Sequence, residues 1–236
     1  MLGTAVDGST RAKPLALLTR HKHSLLLATL TLLLMVSPMI DDAGAGGLVV
    51  SCLFSLLLIV GAFVVGRAHR DLAVVLLLSL PWLYLTWLHP VWSGTLLDEL
   101  AGALLAACTL YIAAVLLFGI VLAERVNHDI ISGAIAVYLL MGIAWSVVFV
   151  LIEGLAPGSF SLGSEEQGTI WSQLLYFSFA TITTLGYGDV APLTPIARVW
   201  AILEAVCGSM YLAVLISRLV GLYAPEAAPA SGSKAR

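Results

Sequence analysis

Charge is scarce in this chain: only 11% of its 236 residues are Asp, Glu, Lys or Arg, against about 25% in an average soluble domain. Mean hydropathy is +1.03 and 60% of the residues are hydrophobic, so the composition belongs to an integral membrane protein, not a soluble enzyme. A net charge of −3 provides no basic field for nucleic acid. Cysteine is almost as rare. Cys52, Cys108 and Cys207 sit inside apolar runs without CxxC or Cys/His spacing, which excludes a disulfide framework or a metal centre and predicts small buried hydrophobes.

What is present is a series of long apolar runs. A spanning helix needs about 20 mostly apolar residues. Runs of that kind cover Ser24 to Ile40, Leu48 to Gly66, Leu72 to His89, Leu100 to Ala123, Ile131 to Ile152 and Ile196 to Tyr223. The expected fold is therefore an all-α membrane protein with six transmembrane helices. A shorter run, Ile170 to Thr183, is too short to cross and predicts a re-entrant helix. Pro38 and Pro81 are expected to kink the first and third helices.

Charges between the runs predict the orientation. Arg11, Lys13, Arg20, Lys22, Arg67, Arg70, Arg125, Arg218, Lys234 and Arg236 fall on one side, which the positive-inside rule assigns to the cytoplasm. Asp41, Asp42, Asp98, Glu99, Glu153, Glu165 and Glu166 fall on the other, with Arg198. Both termini are then cytoplasmic, in a multi-pass cell-membrane protein. The N-terminal basic residues, apolar run and Ala43-Gly44-Ala45 also fit a cleavable signal peptide. Pro38 and the Asp41-Asp42 pair fit the end of a retained helix instead, and either reading leaves the remaining topology unchanged.

The segment TITTLGYGDV, 181 to 190, breaks the apolar pattern. Polar backbone at membrane depth is tolerated only where it is buried in protein or lines a water-filled cavity. Gly186 and Gly188 can take positive φ, so the strand can turn successive carbonyls to one side, and a column of carbonyls can replace the hydration shell of a cation.

Thr184-Leu185-Gly186-Tyr187-Gly188-Asp189 resembles the selectivity filter of the potassium channel family, a loop whose carbonyls face the ion. The resemblance covers roughly Ile131 to Tyr223: outer helix, pore helix, filter and inner helix. It implies K+ coordination by Thr184, Leu185, Gly186 and Tyr187, with Gly188, Asp189, Thr183, Tyr176 and Phe177 as filter support. It also implies a homotetramer, since one chain carries one filter strand, with no cofactor beyond the permeant K+, and membrane lipids as its surroundings. Three positions depart from the family pattern. Leu185 replaces a β-branched residue, Tyr176-Phe177 stand where many members have two tryptophans, and Ala180 stands where some have a glutamate.

Gly208, mid-run in the last helix, matches the family's hinge glycine, and close helix packing is the other reading. Glu204 is the one acid within a spanning run, and an acid there is costly enough to need a role. It faces the cavity below the filter, or takes hydrogen bonds behind the pore helix, or faces lipid. Leu100 to Ala123 contains no Lys or Arg. Since one charge crossing the field yields about 2.3 kcal/mol per 100 mV, no voltage sensor of the arginine-helix type is expected. Trp82, Trp87 and Trp92 read as an interfacial belt, His89 and His128 as interfacial residues or pH sensors, and Glu153, Glu165 and Glu166 as a ring at the outer mouth or a solvated loop.

The domain reading is a cytoplasmic segment over 1–23 and a four-helix transmembrane domain without gating charges over 24–123. A cytoplasmic linker follows over 124–130, then the pore domain over 131–223 and a disordered tail over 224–236. The functional expectation is a voltage-insensitive, K+-selective channel of unknown stimulus. A weakly selective cation channel and a non-conducting scaffold or auxiliary subunit are the alternatives.

Overall fold

The computed structural model describes residues 22–40, 46–66, 68–88, 96–123, 127–163 and 168–223. Seven helices occupy them: α1 Lys22–Ile40, α2 Gly46–Val65, α3 His69–Leu88, α4 Leu96–Val121, α5 His128–Leu155, α6 Ile170–Ile182 and α7 Pro195–Tyr223. Among the described residues five helices, α2, α3, α4, α5 and α7, are long and apolar enough to cross a membrane. The first expected span is shorter by this measure, its apolar part covering Lys22–Ser37. The chain is a multi-pass, all-α membrane protein.

The helices begin where their local chemistry satisfies the free N–H groups of a first turn. Asn127 caps α5 by accepting from Ile130 N at 2.9 Å. Thr169 caps α6 through Ser172 N, and Pro195 opens α7 at the position where a missing N–H is harmless. Both α1 and α3 continue through their prolines, Pro38 and Pro81.

Packing is sequential. α1 lies against α2 and α5, α3 and α5 lie on either side of α4, and α6 wedges between α5 and α7. The shared core is built from Leu26, Leu30, Leu57, Leu58, Ile112, Leu140 and Ile143, all essentially inaccessible. Trp82 belongs to this core and not to an interfacial belt, its ring edge-on to Phe54 at 6.3 Å. Trp87 is half-exposed and donates to Ser55 Oγ at 3.0 Å, while Trp92 lies outside the described residues. Of the cysteines, Cys108 alone is buried. Cys52 and Cys207 are exposed on the single chain, a correction to the buried expectation, because a helix apolar on every side gives no sign of which face meets protein.

Lys22, Arg218, His23 and Asp129 gather at one end of the bundle. Lys22 Nζ donates to Val64 O at 2.7 Å, Arg218 Nη2 donates to Ala123 O at 2.8 Å, and His23 pairs with Asp129 at 3.1 Å. Arg11, Arg20, Asp41, Asp42, Arg67, His89, Arg125, Glu165, Glu166 and the segment 224–236 lie outside the described residues.

Candidate functional site: the re-entrant loop

α6 has 13 residues, about 20 Å at 1.5 Å per residue, so it enters the membrane layer without crossing it. Its C-terminal carbonyls are taken up by the chain that follows. Thr184 N donates to Thr181 O at 3.0 Å, and Leu185 N and Gly186 N both donate to Ala180 O, at 2.8 and 3.1 Å. The amide hydrogens of Thr184, Leu185 and Gly186 therefore turn back onto the helix. Among the described residues, no donor reaches the carbonyl oxygens of Thr184, Leu185, Gly186 or Tyr187.

Backbone dihedrals explain this arrangement. Thr184, Gly186 and Gly188 have φ of +61°, +55° and +80°, while Leu185 and Tyr187 between them do not enter the positive region. Such alternation rotates successive peptide planes. Open space surrounds the missing Cβ of Gly186 and Gly188, so their requirement is conformational and not steric. Thr184 was not expected in the left-handed region, where an L-residue pays about 1–2 kcal/mol. The tight turn off the pore helix imposes it.

The supporting residues divide. Tyr176 is on the open side and donates through its hydroxyl to Asp189 Oδ1 at 3.0 Å. Phe177 is buried instead among Phe149 and Phe160, with ring centroids 5.1 to 5.4 Å apart. Thr183 ends α6, its hydroxyl donating back to Phe179 O at 2.6 Å. Leu185 and Tyr187 are 54% and 70% exposed on the single chain, so neither side chain packs behind the strand within one chain.

A second frame holds the strand's exit. Ser161 N donates to Ala191 O at 2.9 Å, Ala191 N to Ser161 Oγ at 2.8 Å, and Leu193 N to Ser159 O at 2.8 Å, pinning 190–194 to the loop after α5. Glu153 organises that loop. It is buried and accepts from Gly158 N at 2.7 Å and Phe160 N at 3.0 Å. The ring of mouth carboxylates therefore loses Glu153, because two backbone amides claim its oxygens. Gln173 links the same loop to α6, accepting from Gly163 N and donating to Gly168 O.

Behind α6, Glu204 is fully buried beside Ser178, whose Oγ lies 2.5 Å from Glu204 Oε1. Among the three readings of Glu204, full burial beside Ser178 fits hydrogen bonding behind α6. Gly208 brings α7 against the end of α6. A Cβ there would stand 2.5 Å from Ile182 Cγ1 and 2.9 Å from Ile182 O, so close packing accounts for it. Tyr138 donates to the same Ile182 O at 2.9 Å, and its ring stacks on Tyr211. Sequence reading passed over Gln173, Ser178 and Tyr138 and placed Glu153 elsewhere. The usable signal was a hydrogen-bonding side chain inside an apolar run, which must find a partner there.

Residues 137–224 match the family model described as "Ion channel". The inward rectifier potassium channel Kirbac3.1 of Paramagnetospirillum magnetotacticum is 33% identical over 104 residues, covering 39% of this chain and 34% of that protein. Two-pore potassium channel 5 of Arabidopsis thaliana is 44% identical over 46 residues, 20% of this chain and 11% of its own length. Two pore potassium channel c of Oryza sativa subsp. japonica is 30% identical over 83 residues, 35% of this chain and 16% of that one. The chain thus spans about a third of the first of these relatives and less of the others. No solved structure matches it. The loop and its flanking helices lie inside the segment that matches the ion channel family model, and the relatives that match are potassium channels.

Proposed function

We propose that this chain is one subunit of a homotetrameric K+-selective channel that passes ions passively down their gradient across the cell membrane, with both termini cytoplasmic. The observation that carries the reading is the run of carbonyls at Thr184, Leu185, Gly186 and Tyr187 left without donors, on a strand whose first three amides fold back onto α6. Unpaired backbone carbonyls at membrane depth are costly unless something polar meets them, and a dehydrated cation does so. Each chain contributes one such strand, and four around an axis would close a ring. α7 supports the assembly. Its Ile196, Val199, Ile202, Val206 and Met210 are exposed on the single chain, an apolar face available to neighbouring subunits. The relatives named as potassium channels point to K+ as the ion.

A weakly selective cation channel is the second reading, favoured by Leu185, whose half-exposed side chain leaves the second filter position without packing inside the chain. Purified protein in liposomes tests both. Potassium flux with little sodium flux supports the proposal, comparable fluxes support the second reading, and no flux from assembled protein leaves a scaffold.

A further inference from the structure

Three helices meet behind the filter in one run of buried oxygens. Ser178 of α6 places its Oγ 2.7 Å from Gly142 O of α5 and 2.5 Å from Glu204 Oε1 of α7. Ser146 donates its own hydroxyl to the same Gly142 O at 2.7 Å. A hydroxyl carries one hydrogen, so Ser178 cannot donate to both of its close neighbours. Gly142 O, a carbonyl, brings no hydrogen to its contact, so that contact takes the hydrogen of Ser178. The remaining contact between two oxygens then needs a hydrogen from the glutamate.

The other carboxyl oxygen leads to the same conclusion independently. Glu204 Oε2 is buried and has no hydrogen-bond partner. An ionised carboxylate spreads its charge over both oxygens, so half of it would be buried without a donor, whereas a neutral acid leaves only an unpaired carbonyl oxygen there, a smaller penalty. Among the described residues no Lys, Arg or His is in ion-pair reach of it. From the outer helix the titratable neighbour is Tyr138, whose hydrogen is committed to Ile182 O. Ser178 of the pore helix does not titrate in the working range, and the fully buried acid is out of reach of water and of a neighbouring subunit.

We propose that Glu204 is held as a neutral carboxylic acid and acts as a positioning residue, donating through Oε1 to Ser178 so that Glu204, Ser178 and Gly142 tie the inner, pore and outer helices together directly behind the filter. Taking the proton away leaves an oxygen pair without a hydrogen and a buried charge without a partner. The tie is then lost, and with it the fixed placement of α6 under the filter strand.

Infrared difference spectra of the full chain in lipid bilayers, with isotope-labelled glutamate carboxyls, test the protonation directly. Wild type minus E204Q is expected to show the carbonyl band of a protonated acid at neutral pH, shifted down in heavy water and lost in the variant. Loss of an ionised carboxylate band instead overturns the proposal. Potassium flux tests the positioning role. E204Q, whose amide can still donate to Ser178, is expected to keep wild-type flux, and E204L to lose it or lose the assembled oligomer. Wild-type flux in E204L, or abolished flux in an assembled E204Q, overturns it. If E204Q does not assemble, the labelled wild-type protein alone decides, since absence of the acid band at neutral pH refutes the proposal. The infrared readout needs no conduction, so its failure is distinguishable from failure of the channel reading.

Discussion

Gly208→Ala separates a hinge from a packing contact. Ala in place of Gly in the interior of a helix is favourable by about 1 kcal/mol. Against this stands the space. The new Cβ meets Ile182 Cγ1 at 2.5 Å and Ile182 O at 2.9 Å. The side-chain atom can yield by rotation, but the carbonyl is backbone at the end of α6 and is held by Tyr138 at 2.9 Å. Overpacking of this kind costs about 1–3 kcal/mol, so each subunit loses up to about 2 kcal/mol net. In the proposed tetramer the four contributions act together, and the displaced group is the carbonyl of the last residue of α6. The expected outcome is a lowered thermal midpoint of the assembled protein together with altered potassium flux. Adding Ile182→Ala removes the side-chain part of the clash and should restore stability in part. A Gly208→Ala protein that is more stable than wild type, with unchanged flux, would refute the close approach of α7 to α6.

Gly186→Ala puts a Cβ into open space at φ +55°, so only the conformational penalty of about 1–2 kcal/mol per strand applies; potassium over sodium selectivity, read from reversal potentials, is expected to collapse while the protein still assembles. Glu153→Ala leaves the amides of Gly158 and Phe160 without their acceptor, at about 1–3 kcal/mol for the buried amide of Phe160, and should lower the thermal midpoint, with Glu153→Gln recovering part of it. Single-channel recordings in symmetrical potassium should show an open probability nearly independent of voltage, because α4 carries no basic residue; a steep sigmoidal rise, worth several charges per subunit, would show that the first helices move charge by another route.

Much of the architecture follows from the sequence alone. Runs of about 20 apolar residues can be stable only as spanning helices, and a run of 13 cannot span, which is why α6 and the loop after it were legible. Gly186 and Gly188 announced left-handed backbone, since only glycine enters it cheaply. The lack of arginine in α4 needed no coordinates either. What the sequence could not say is which face of each helix meets which neighbour. These helices are apolar on nearly all sides, so periodicity carries no direction, and facing is settled only when helices pack. That is why Trp82 turned inward, Cys52 and Cys207 outward, and Glu153 toward two amides. Thr184 takes positive φ because the turn off α6 must reach Ala180 O, a constraint between segments that no residue preference encodes. Glu204 is the clearest case: an acid in an apolar run must find a polar partner, but only the crossing of α7 over α6 makes that partner Ser178 and not the water of a cavity.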